Sequence, residues 1–150
     1  MPERREDVFY FNLPPYRLPG FPAKLQTQSM KLRIKGNSLR IRLTKTEVSK
    51  LAETGYLEEQ TNFPGTQFIY SLQKTDAEDL SATFENNKII IFIPALFIKD
   101  WPDNNITGLD TKMSISKTET LYLLIEKDFV CLDETTEDQS DNYHNPNKNC

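Results

Sequence analysis

The chain has little of what most enzyme chemistry needs. It holds one histidine, His144, and two cysteines, Cys131 and Cys150. A lone imidazole excludes sites built on several histidines, and two cysteines do not make a disulfide framework. Its five glycines are not clustered, so no phosphate-cradling glycine loop is present. No run approaches the roughly 18 apolar residues that a membrane-spanning helix requires. The opening Met1-Pro2-Glu3-Arg4-Arg5 leads into no apolar signal segment. A cytoplasmic location is therefore the expectation, with both cysteines reduced there. Against 18 basic residues stand 22 acidic ones, a net charge of −4, which gives no support for wholesale nucleic-acid binding.

What is present reads as one small α+β domain between two polar or irregular ends. Residues 1–29 hold Pro2, Pro14, Pro15, Pro19 and Pro22 among aromatics, a pattern that suits neither helix nor central strand. They are an N-terminal arm outside the core, or a mis-assigned start ahead of Met30. Residues 30–132 carry the regular patterns. Residues 133–150 form an acidic, asparagine-rich tail with Tyr143 its one large apolar group.

Within the domain, Leu32 and Ile34, then Leu39, Ile41 and Leu43, alternate with basic residues, the period of half-buried strands. Thr44 and Glu47 make a capping box that opens a helix over 45–54, and Gly55 suits its left-handed end. Hairpins follow around Pro64-Gly65 and Asn86-Asn87. Ile89 to Ile93 and Leu121 to Ile125 are apolar on both faces, as central strands are. A short second helix is expected over 95–101, and 102–111 reads as loop. The sum is a mainly antiparallel sheet of about six to seven strands with one main helix. No internal repeat is evident.

The opening from Met30 to Thr44, MKLRIKGNSLRIRLT, and the closing motifs Glu126-Lys127-Asp128-Phe129, Cys131-Leu132-Asp133 and Glu137 to Tyr143 followed by Asn145-Pro146-Asn147 resemble a family of short bacterial proteins of unknown function. The resemblance covers residues 30–150. Where the family pattern has proline before Asn-Pro, this chain has His144, which argues against a family-wide catalytic role for that histidine. No activity, cofactor or partner comes with the resemblance. It does imply that the tail, if its wording is kept, docks on the domain or binds an ion.

Three constellations are candidates for chemistry. Arg33, Lys35, Arg40 and Arg42 fall on one face of the first two strands and suit a phosphate or carboxylate, against the plainer reading of a solvated sheet face. Asp133, Glu137, Asp138 and Asp141 supply hard oxygen ligands for calcium or magnesium, although their spacing matches no EF-hand and a charged tail explains them as well. A tail lying over the basic face would join the two. Cys131 with His144 lacks an oxyanion motif for nucleophilic catalysis, and the two with Cys150 fit no common zinc spacing. The leading expectation is a non-catalytic binding or assembly module without a cofactor, a divalent cation apart. A protein or a small anion would be its partner, and neither a membrane nor nucleic acid. The alternative is a protein or enzyme that takes a phosphorylated ligand on the basic face.

Overall fold

A computed structural model describes residues 30–131, 136 and 138–146. The N-terminal arm therefore lies outside the described residues, as do Asp133, Glu137 and Cys150 of the tail. The strands are β1 (Lys31–Ile34), β2 (Ser38–Leu43), β3 (Tyr56–Phe63), β4 (Thr66–Thr75), β5 (Ser81–Glu85), β6 (Lys88–Pro94), β7 (Gly108–Ser114) and β8 (Thr120–Lys127). Helix α1 (Lys45–Thr54) follows β2, and α2 (Ala95–Ile98) follows β6, with a short 3-10 turn at Trp101–Asp103.

The class is α+β, but the strands form two mixed four-stranded sheets and not one antiparallel sheet. One runs β1-β2-β8-β7 and the other β3-β4-β6-β5. Hairpin partners pair antiparallel, while the central pairs, β2 with β8 and β4 with β6, are parallel. Each parallel pair joins segments far apart in the chain, which local turn chemistry does not announce. The first four residues of β7 fall in the stretch 102–111 expected as loop; Asp110, Thr111 and Lys112 give it no apolar run, and its pairing with β8 makes it a strand.

The expectation of no internal repeat is overturned by connectivity. Hairpin, helix, hairpin occurs twice: β1-β2-α1-β3-β4, then β5-β6-α2-β7-β8. Each half contributes one hairpin to each sheet. The backbone repeats down to single bonds. The Tyr122 amide donates to the Asn37 carbonyl at 3.1 Å, and the Ile69 amide to the Asn87 carbonyl at 3.0 Å. Likewise the Lys127 amide donates to Thr107 and the Lys74 amide to Gly55, both at 2.8 Å. Buried positions correspond as well: Met30 with Leu80, Ile41 with Ile91, Leu43 with Ile93, Val48 with Ile98, and Leu51 with Trp101. These side chains form one core between the sheets and under the helices.

The helices differ for a local reason. Thr44 caps α1 fully: its amide donates to the Glu47 carboxylate at 2.9 Å, and its Oγ1 accepts the Glu47 amide at 3.4 Å. Gly55 closes α1 at φ 77°, where its amide donates to Leu51. At the matching start of α2 stands Pro94, which has no side-chain acceptor, and that helix is 4 residues long against 10. The Asn86-Asn87 turn has φ of 54° and 61°, as a two-residue type I′ loop requires.

Candidate functional site

Strand register assembles the basic face. Antiparallel pairing sets Arg33 opposite Arg40 and Lys31 opposite Arg42. The parallel neighbour β8 then brings Glu126 beside Arg42. The Nε atoms of Arg40 and Arg42 both lie 2.9 Å from Glu126 Oε2. Lys31 Nζ lies 2.9 Å from Oδ2 of the buried Asp128. Three of the cations on this face are thus engaged by two carboxylates. Arg33 and Lys35 have no ion-pair partner among the described residues.

These two side chains line a shallow groove of about 270 Å³, together with Ser38, Arg40, Tyr122 and Leu124. Arg42 is not among its lining residues. The Tyr122 hydroxyl donates to Asp110 at 2.9 Å, and that bond holds its pKa above the ordinary tyrosine value. Glu58 sits on the other sheet and takes no part. It accepts from the Tyr56 hydroxyl at 2.7 Å and from Lys88 at 2.9 Å, and the Lys88 bond holds its carboxyl below the ordinary range.

The described part of the tail lies against the start of α1 and not over the basic face. The Lys45 amide donates to the Asp141 carbonyl at 3.0 Å. The Asp141 carboxylate accepts from the Thr46 amide at 3.3 Å and from its hydroxyl at 3.1 Å. An acidic group here satisfies a free amide of the first helical turn and meets the positive end of the helix dipole. Asp138 accepts from the Ser140 amide at 3.0 Å, which lowers its pKa. The two carboxylates border a hollow of about 460 Å³ with Glu47, Glu58 and Glu59. Burial pushes Glu47 and Glu59 above the ordinary glutamate value. No group of three or more His, Cys, Asp or Glu side chains suited to a metal ion occurs among the described residues. Of the four tail carboxylates considered as ligands, Asp138 and Asp141 serve local turns and the helix start, and Asp133 and Glu137 lie outside the described residues.

Cys131 is disulfide-bonded, against the expectation of a free thiol, and as such supplies no nucleophile. Its backbone is clasped by Gln139: the Cys131 amide donates to Oε1, and Nε2 donates to the Cys131 carbonyl at 3.2 Å.

Of the two acids the sequence offered as companions of the arginines, Glu58 and Glu126, only Glu126 joins them, and Tyr122 was missed as part of the basic face. The apolar run from Leu121 to Ile125 suggests a strand buried on both sides, yet Tyr122, Leu124 and Glu126 are only partly buried. Glu126 stands in register with Arg42 of β2 and, one strand further, with Lys31 of β1.

Residues 30–147 match the model of a family described as a family of unknown function, DUF7009. The chain belongs to that family. No curated protein and no solved structure matches it. Membership agrees with the resemblance carried by the opening and closing motifs and brings no activity with it. No helix among the described residues is long and apolar enough to cross a membrane.

Proposed function

We propose that this DUF7009 protein is a non-catalytic binding module that takes a small anion, a phosphate or a carboxylate, in the groove on the β1-β2-β8 face. The observation that carries this reading is the pair Arg33 and Lys35. Both project beside Arg40 without an ion-pair partner among the described residues, while Glu126 already occupies Arg40 and Arg42. A planar guanidinium gives an anion two parallel hydrogen bonds, and an ammonium adds a mobile point charge. Glu126 has two effects in such a site. It fixes the direction of both arginine side chains, and it offsets part of the positive charge, so the groove favours a compact anion over an extended polyanion. The shallow, solvated setting screens the attraction, so affinity should be modest and should fall with salt.

The test is a thermal-shift and calorimetric screen against inorganic phosphate, pyrophosphate, nucleotides and short dicarboxylates at low and high salt. Binding by at least one of these, lost in Arg33→Gln/Lys35→Gln, is the expected result. Unchanged melting with every anion at low salt would contradict the reading.

A further inference from the structure

A second opening lies on the other side of β1. Strand alternation that turns Arg33 outward turns Ile34 inward, to the gap between the sheets. There Ile34 and Phe84 stand at matching positions of the two halves and are 56% and 63% exposed. With Leu39, Ile89, Phe68 and Leu121, again matched in pairs, they line an apolar mouth of about 300 Å³. Thr83 brings the only hydroxyl to this lining. Apolar side chains left in water at an open mouth are a standing gain for any alkyl group that covers them. A lining with a single hydroxyl and otherwise apolar side chains favours a chain that needs no hydrogen bonds.

The mouth and the anion groove meet at one residue. Leu39 lines both. Between them runs β1, an edge strand of only 4 residues, and the turn after it, where Gly36 has φ of 54°. Lys35 stands in that turn, and its long stem can follow apolar surface while its ammonium stays in water. We propose that the ligand is a single-chain amphipathic anion: its phosphate or carboxylate rests on Arg33 and Lys35, and its alkyl chain bends around β1 into the mouth between Ile34 and Phe84. The occupant is a single soluble amphiphile, because the mouth has the volume of one chain and the charge beside it suits one head group. This inference rests on the anion reading above and adds the apolar half of the ligand.

The test is calorimetry on the full chain with inorganic phosphate, n-octanol and n-octyl phosphate, the last below its micelle concentration. Octyl phosphate should bind about tenfold tighter than phosphate or more, given the free energy of burying several methylenes. Phe84→Ser should return octyl phosphate to the affinity of phosphate and leave phosphate binding unchanged. Phe84 is exposed, so the fold should tolerate the change; if it does not, Ile34→Ser decides the same question. Equal affinities for phosphate and octyl phosphate would overturn the inference and leave the anion reading standing. Octyl phosphate binding that both variants leave intact would also overturn it, as would octanol binding as tightly as octyl phosphate. Binding to phosphatidylglycerol vesicles without binding to monomeric octyl phosphate would assign the face to a membrane surface instead. No binding of either phosphate would overturn the inference, and the anion reading would fall with it if the dicarboxylates of the screen above also failed to bind.

Discussion

The ammonium of Lys127 lies 4.8 Å from the ring centroid of Tyr143 and 5.9 Å from that of Trp101. It donates a hydrogen bond to the Asn104 carbonyl at 2.7 Å. The side chain is buried, and burial lowers its pKa from the ordinary lysine value. Two aromatic faces offset part of that desolvation. The contact ties the tail to the end of β8 and to the turn after α2. Phe129 completes the anchor: it pairs with Tyr143 in an isolated parallel bridge, with ring centroids 5.7 Å apart.

Tyr143→Ala should therefore destabilise the whole domain and not the tail alone. It removes a half-buried ring and uncovers a buried ammonium. The expected loss is about 2 kcal/mol, below the usual cost for a fully buried aromatic. Urea titration followed through Trp101 fluorescence reads it. A midpoint equal to that of the parent would show that the tail does not anchor there.

Thr44→Ala should cost about 1 kcal/mol, the usual loss of a helix N-cap. The variant removes the Oγ1 acceptor of the Glu47 amide. Thr44→Ser keeps that acceptor and should recover most of the loss. Equal stability of all three proteins would leave the capping box without energetic weight.

Glu47 links the same helix to pH. Burial raises its folded pKa above the unfolded value. The stability this contributes is full below the ordinary glutamate pKa of about 4.3 and is lost as pH rises through the elevated folded value. Glu47→Gln keeps a side-chain carbonyl for the Thr44 amide and cannot ionise. Its stability relative to the parent should rise from pH 4 towards pH 7. A difference that stays constant across that range would place Glu47 in solvent.

A chain beginning at Met30 should melt cooperatively within a few degrees of the full chain. Met30 is itself core, 2% exposed, and its carbonyl accepts the Tyr70 hydroxyl at 2.8 Å. A fall of much more than that in differential scanning calorimetry would mean that residues 1–29 contribute to the fold.

The parts legible in the sequence were those decided by neighbouring residues. Thr44, Glu47 and Gly55 bounded α1 correctly, because caps are local chemistry. The alternation from Leu32 to Leu43 marked two strands and the outward basic residues. Asn86-Asn87 marked its turn. What escaped was decided at long range. The parallel pairing of Arg42 with Glu126 joins residues on distant strands, and nothing near either one signals the other. The duplication escaped for a different reason. Its halves share burial and hydrogen bonding but not residue identity, as with Leu51 and Trp101, or Thr44 and Pro94. Tyr143 was legible as an anchor from its isolation in a polar tail. Its landing place beside Lys127 was not, since a lysine ending an apolar strand reads as an exposed terminus.

The account stands or falls on whether an anion settles beside Arg33 and Lys35. The direct measurement is a pyrophosphate titration followed by amide chemical shifts at low salt. The predicted result is saturable movement of the Arg33, Lys35, Arg40 and Tyr122 amides, abolished in Arg33→Gln/Lys35→Gln with the other amides unmoved. Shifts centred on Thr46 and Asp141, or shifts on the basic face that survive the double substitution, would contradict it.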